Sequence, residues 1–174
     1  LGTDLFGRDI ASRLIKGATN SLYVALFSVA ISSTLGTLIG TISAYIGGRF
    51  DGAMMRIMDV FFAFPSILLA LLVVTILGRG LDKTIIAIAV AYTPIFARVA
   101  RGPVLSVKEM EFVTAARAIG MSHPRIVFLH VLPNTLAPLI VQSTLGLGTA
   151  VIETAALGFL GLGQQPPFPE LGKV

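Results

Sequence analysis

Cysteine is absent from all 174 residues, which excludes a disulfide framework and any thiolate-held metal site. Histidine is almost absent. His123 and His130 stand seven positions apart with Pro124 between them and no carboxylate on the same helical face, so they do not read as a metal pair, and no metal ligand set is expected. Neither G-x-S-x-G nor H-E-x-x-H occurs. No phosphate-binding G-x-x-x-x-G-K-[ST] loop exists either, because Lys83-Thr84 follows Asp82 and Lys173 precedes Val174. The chain therefore offers no catalytic constellation and no ATP site of its own, and no cofactor is expected.

Charge is also scarce. Only 13% of the residues are charged, against about 25% in an ordinary soluble domain. Apolar residues make up 55%, and the mean hydropathy is +0.88, values that belong to a lipid-embedded chain. The formal charge of +4 does not point to nucleic acid, since the 13 basic residues sit singly at the ends of apolar runs, where they anchor helices to lipid headgroups.

What is present is a series of charge-free stretches. Gly17 to Gly48 runs 32 residues without a formal charge, and about 20 apolar residues suffice to cross the hydrocarbon core. Further runs lie at Val60 to Gly78, Thr84 to Ala97 and Ile126 to Ile152. The third is short enough that its span must reach Val99 and bring Arg98 to the interface by snorkelling. The expectation is an all-α polytopic transmembrane helical bundle with about four spans in this chain. Pro65, after Phe61, Phe62 and Phe64, marks an aromatic interfacial approach to the second span, with the helix restarting at the proline.

Lys and Arg set the orientation. Arg98, Arg101, Lys108, Arg117 and Arg125 crowd between the third and fourth runs, and the positive-inside rule puts that loop in the cytoplasm, together with Arg49 and Arg56. Arg8, Arg13, Lys16, Arg79, Lys83 and Lys173 fall on the other side. The chain then divides into an extracytoplasmic pre-span segment 1–18, a transmembrane core 19–163 containing a cytoplasmic loop 100–125, and an extracytoplasmic loop 164–174. The first residue is Leu1, no basic segment followed by an apolar one precedes the first span, and residues 164–174 end without a closing element, so a fragment of a longer protein is expected.

Within the first span Ser28, Ser32, Gly36, Gly40 and Ala44 recur every four residues, a line of small side chains that lets another helix approach closely. Helix packing within the subunit is one reading and a moving gate surface the other. Thr34, Thr37 and Thr41 form a second line, open to a role along a transport pathway or to hydrogen bonding back to the preceding turn. Glu153 is the one acid deep in the last apolar run, where an ionised carboxylate costs about 2.5–3.5 kcal/mol at the bilayer centre. A pathway or partner-interface role and a position near the outer interface are both open for it. Gly158, Gly161 and Gly163 favour a bend or helix end close by.

The loop between the third and fourth spans carries most of the polar residues. Leu105 to Ile119 reads as one helix bearing Lys108, Glu109, Glu111 and Arg117, kept slim by Ala115, Ala116 and Ala118 and closed by a left-handed cap at Gly120. Ser122 is placed to cap a second helix beginning near Pro124. A slim helix suits insertion into a groove on another protein, and a solvated connector helix has the same composition.

The run Thr114-Ala115-Ala116, three residues, Gly120, nine residues, then His130-Val131-Leu132-Pro133 resembles the EAA motif of permease subunits of bacterial ABC importers, E-A-A-x3-G-x9-I-x-L-P. Thr114 stands in the motif's Glu position and His130 in its Ile position. Glu111, one turn earlier, is the acid that substitutes for the missing Glu in part. Leu1-Gly2-Thr3-Asp4-Leu5-Phe6-Gly7-Arg8-Asp9 and Phe159-Leu160-Gly161-Leu162-Gly163-Gln164-Gln165-Pro166-Pro167 are similar to the second permease subunit of the dipeptide/oligopeptide/nickel importers.

The resemblance implies a type I ABC importer permease fold with six spans per subunit, of which this chain would lack the first and last. It implies a multi-pass protein of the bacterial inner membrane working with a second permease subunit, cytosolic ABC ATPase subunits and an extracytoplasmic solute-binding protein. The expected solute is a small peptide or a related solute such as nickel. By the same resemblance Glu111, Thr114, Ala115, Ala116, Arg117, Gly120, Leu132 and Pro133 form the ATPase-docking coupling loop. ATP hydrolysis then belongs to the partner subunits. The other class of function open to such a chain is a self-sufficient secondary transporter or channel using Glu153 and the Thr34/Thr37/Thr41 line.

Overall fold

A computed structural model describes Gly2 and residues 9–163. Most of the Leu1–Asp9 stretch, and the Gln164–Val174 loop expected from sequence, lie outside the described residues. Among those described the chain is all-α.

The first helix, α1 (Ile10–Ile46), starts where Asp9 accepts hydrogen bonds from the Ala11 and Ser12 amides at 3.2 Å and from the Ser12 hydroxyl at 2.5 Å. That carboxylate takes up N–H groups that have no partner within the helix. At about 1.5 Å per residue the 37 residues exceed what a bilayer core requires. Gly47, at φ +75°, stops the helix, and α2 (Gly48–Phe62) follows at once.

The second apolar run is broken. α2 ends at Phe62, and α3 (Ser66–Leu77) begins directly after Pro65, which takes an extended ψ and supplies no side-chain cap. With 12 residues α3 is too short to span alone, and the two helices meet the length and apolarity of a span only when taken together. α4 (Leu81–Val107) is longer than the expected third span and runs on through Pro94 and Pro103. Each proline removes a donor from the ladder, but Phe96, Ala97, Ala100 and Val104 are fully buried, and this packing holds the helix together.

The single helix expected over 105–119 is two. α4 stops at Val107 and α5 (Glu111–Ala118) starts after an extended Met110. The turn between them frees Lys108 to reach back to another helix. A short α6 (His123–Ile126) continues into a π-helical turn at Val127–Val131 and a 3-10 turn at Pro133–Thr135. Pro133 has no N–H to give, so the preceding turn widens: the Leu132 amide bonds Val127 O at 2.8 Å, and Asn134 Nδ2 takes His130 O at 2.7 Å. The fourth spanning helix, α7 (Leu136–Phe159), therefore begins ten residues later and ends seven later than the charge-free run at Ile126 to Ile152. Among the described residues three helices, or four if α2 and α3 make one broken span, are long and apolar enough to cross a membrane.

The residues form two compact units. The first draws on Leu1–Ile31, Pro65–Ala91 and Leu145–Val174. In it the buried Ser28 hydroxyl donates to Ile85 O of α4 at 3.1 Å, and Ser66 at the start of α3 donates to Glu153 Oε1 of α7 at 2.5 Å. The second unit, Ser32–Phe64 with Tyr92–Thr144, holds the polar loop. Ser32, Gly36, Gly40 and Ala44 are all buried there. A Cβ at Gly36 would lie 2.5 Å from Phe96 Cβ, so α1 and α4 meet almost backbone to backbone along this line.

Candidate functional site

The loop at 108–135 has a core of its own. Val113 and Ala116, three residues apart on α5, turn to the same side and join Ala44, Val104, Val107, Ile126 and Val131 in one buried cluster, with Tyr45, Leu105 and Met121 against it. The ends of α1 and α4 thus supply the floor on which α5 rests.

Polar contacts fix the same ends. Lys108 Nζ donates to Ala44 O at 2.8 Å, one of the last carbonyls of α1 and without a partner inside that helix. Arg101 of α4 grips Asp51 of α2 through Nε at 2.9 and 3.0 Å and through Nη2 at 2.6 Å; the carboxylate is buried, near the N-terminal end of its helix. Tyr45 hydroxyl and His123 Nδ1 share a hydrogen bond at 3.0 Å, and the Arg117 guanidinium lies 5.5 Å above the Tyr45 ring.

α5 closes with a Schellman turn. The Met121 amide bonds Ala116 O at 3.1 Å and the Gly120 amide bonds Arg117 O at 3.0 Å, with Gly120 at φ +80°. Ser122 occupies the position before α6, but its hydroxyl makes no capping bond there.

The outward face of α5 consists of Glu111, Phe112, Thr114, Ala115, Arg117 and Ala118, all exposed, and it runs on to Ile119 and Gly120. Ala116, grouped in sequence with Ala115, points the other way and is only 5% exposed. The reason is helical phase, since residues adjacent in sequence lie about 100° apart around the axis. Leu132 is half-buried and Pro133 exposed. Sequence reasoning passed over Phe112 and Ile119, although Phe112, Ala115 and Ile119 have the i, i+3, i+7 spacing of a helical stripe. Ile119 is 78% exposed, a large apolar residue left uncovered on a loop.

Glu153 and Thr37 are half-buried and belong to different compact units. Thr41, in line with Thr37, is buried and its hydroxyl finds no partner among the described residues. Among those residues no group of three or more His, Asp or Glu side chains is placed to hold a metal ion; His123 is taken up by Tyr45, and the His130 ring lies 6.3 Å from that of Phe112.

Residues 36–173 match the family described as binding-protein-dependent transport system inner membrane component. The chain is 54% identical, over 99% of its length, to the dipeptide transport system permease protein DppC of Alkalihalophilus pseudofirmus. It is 49% identical, again over 99% of its length, to the di/tripeptide transport system permease protein DppC of Pseudomonas aeruginosa, and 47% identical over 98% to the glutathione transport system permease protein GsiD of Escherichia coli. The chain spans 57%, 57% and 56% of those relatives, little more than half of each. Among solved structures it is similar to the MetNI methionine ABC transporter in an inward-facing conformation, with a TM-score of 0.76 and 25% identity over 88% of this chain and 77% of that one.

Proposed function

Since the chain belongs to the family of inner membrane components of binding-protein-dependent transport systems, we propose that it is a membrane-spanning part of an ATP-driven importer of short peptides. The peptide and glutathione relatives, similar over almost the whole chain, support that solute class. A second permease subunit, cytosolic ATPases and an extracytoplasmic binding protein are the partners this reading requires. Residues 100–125 are cytoplasmic on the strength of their basic residues, which puts 1–18 and 164–174 on the far side.

The observation that carries the coupling part of the proposal is the two-sided build of α5. Its inner side is packed on the ends of α1 and α4, while Phe112, Ala115 and Ile119 stand uncovered on its outer side. A push on that outer side passes into helices long enough to span the membrane instead of being absorbed by a slack loop. Coupling also needs an ATPase that grips this face differently in its two nucleotide states, because equal affinity for both shifts nothing. Glu111, Thr114, Ala115, Arg117 and Gly120 belong to the docking surface, with Phe112 and Ile119 added to it. Ala116 supports it from behind through the buried cluster, and Leu132 and Pro133 complete the coupling loop.

A self-sufficient secondary transporter would place the energy source in Glu153 and the threonine line. The family is described by its dependence on a binding protein, which favours the importer. The test is reconstitution of the full-length permease with its genomic partners in vesicles, with a cysteine at Ala115 or Ile119. Crosslinking to an ATP-hydrolysing subunit and ATP-dependent peptide uptake are expected. Uptake driven by an ion gradient with no ATPase present, or an ATPase that never crosslinks, would sink the proposal.

A further inference from the structure

We propose that the cleft between α2 and α4 binds the headgroup of an aminophospholipid, one that carries both a phosphate and a primary ammonium. The cleft has a volume of about 370 Å³ and is lined by Met55, Asp59, Arg98 and Arg101. That volume lies in the range of about 300–1,000 Å³ that small ligands occupy.

The lining follows from two helical registers. Asp51, Met55, Asp59 and Phe62 share one side of α2, and Arg98 and Arg101 share one side of α4. Arg101 spends Nε and Nη2 on the buried Asp51, leaving its Nη1 amino group uncommitted. Arg98 pairs through Nη2 with Asp59 Oδ1, while its guanidinium lies 4.2 Å above the Phe62 ring. Its remaining N–H groups and the second Asp59 oxygen are uncommitted among the described residues. Both members of this pair are nearly half exposed, so the bond between them contributes little net energy and a ligand can remodel it.

Position and charge select the ligand. Arg98 is the first charge after the apolar run that ends at Ala97, at headgroup level for a spanning helix. Phe62, the ring that Arg98 overlies, is itself exposed, an apolar neighbour suited to an acyl chain rather than to a water-filled passage. Basic pockets between spanning helices on the cytoplasmic side take lipid headgroups. Here two arginines are balanced by two aspartates, so a purely anionic headgroup would turn its charge toward Asp59. A zwitterion instead sets its phosphate on Arg98 and Arg101 Nη1 and its ammonium on the open Asp59 oxygen.

The test is native mass spectrometry of the full-length permease exchanged into phosphatidylethanolamine, phosphatidylcholine or phosphatidylglycerol. Retention of phosphatidylethanolamine several-fold over the other two is expected, because a quaternary ammonium cannot donate a hydrogen bond to Asp59. Arg98→Gln should lower retention of all three lipids. Asp59→Asn should erase the preference for phosphatidylethanolamine and raise phosphatidylglycerol, and Asp59→Glu should restore the original order, with thermal unfolding in detergent as the control for fold. Equal retention of the three lipids by the unaltered chain, or an Asp59→Asn variant with unchanged preference, would overturn the proposal. So would displacement of the bound lipid by a soluble dipeptide, which would make the cleft a solute site.

Discussion

Gly40 of α1 lies so close to Ala97 of α4 that a Cβ on the glycine would sit 2.2 Å from the Ala97 carbonyl oxygen. The obstacle is backbone and cannot rotate away. Gly40→Ala should therefore force the helices apart, at a cost of about 1–3 kcal/mol, with Gly40→Val costing more. Gly52→Ala on α2, where no atom lies within 4 Å of the added carbon, should be neutral or stabilising by a few tenths of a kcal/mol. Thermal unfolding of the purified variants separates these outcomes, and equal loss in both would discount the close approach.

The four-residue recurrence of Ser28, Ser32, Gly36, Gly40 and Ala44 was legible in sequence because small residues have few reasons to line one helical face other than close contact. Gly120 and Pro65 were legible too, since glycine enters the left-handed region without strain and proline's ring fixes its φ. The break between α4 and α5 was not. Lys108 to Met110 contains neither glycine nor proline, and the contact that goes with the break, Lys108 to Ala44 O on α1, lies 64 positions away in the chain. The widened turn before Pro133 was hidden as well: proline shows that a bond must be lost but not that the Leu132 amide will reach back five residues to Val127 O.

Ala115 and Ala116 should behave oppositely despite being identical neighbours. Ala116→Leu adds volume to a cluster that already contains Val113, Ile126 and Val131, and should cost about 1–3 kcal/mol with loss of folded protein. Ala115→Leu lies on the exposed side and should leave the melting temperature unchanged while weakening recovery of the ATPase in pull-down. Comparable melting temperatures for the two variants would mean that α5 is rotated about its axis from the orientation described.

Gly120 has φ +80°, and a Cβ added there would meet nothing within 4 Å, so any penalty for replacing it is a backbone penalty. Gly120→Ala should cost about 1–2 kcal/mol, Gly120→Asn less and Gly120→Val more. The Schellman turn also sets the direction in which the chain leaves α5. Gly120→Val should accordingly lower the ratio of peptide uptake to ATP hydrolysis in vesicles while the protein still inserts, whereas an unchanged ratio would detach the turn from coupling.

The Asp51–Arg101 pair makes the sharpest case for a residue whose chemistry cannot be exchanged. Three hydrogen-bond contacts join the two groups, and Asp51 is buried while the Arg101 side chain is 37% exposed, so the pair is neither a free surface bridge nor a fully desolvated one. Asp51→Asn leaves a polar group able to accept only part of the fork and should cost about 1–3 kcal/mol, discounted for the solvent that reaches the arginine. Arg101→Lys keeps the charge but replaces a planar fork with a point donor, so it should recover less than half of what Arg101→Gln loses. A double-mutant cycle on thermal stability measures the coupling directly. Additive losses from Asp51→Asn and Arg101→Gln would mean that each residue acts through other contacts and that this ion pair does not hold α2 to α4.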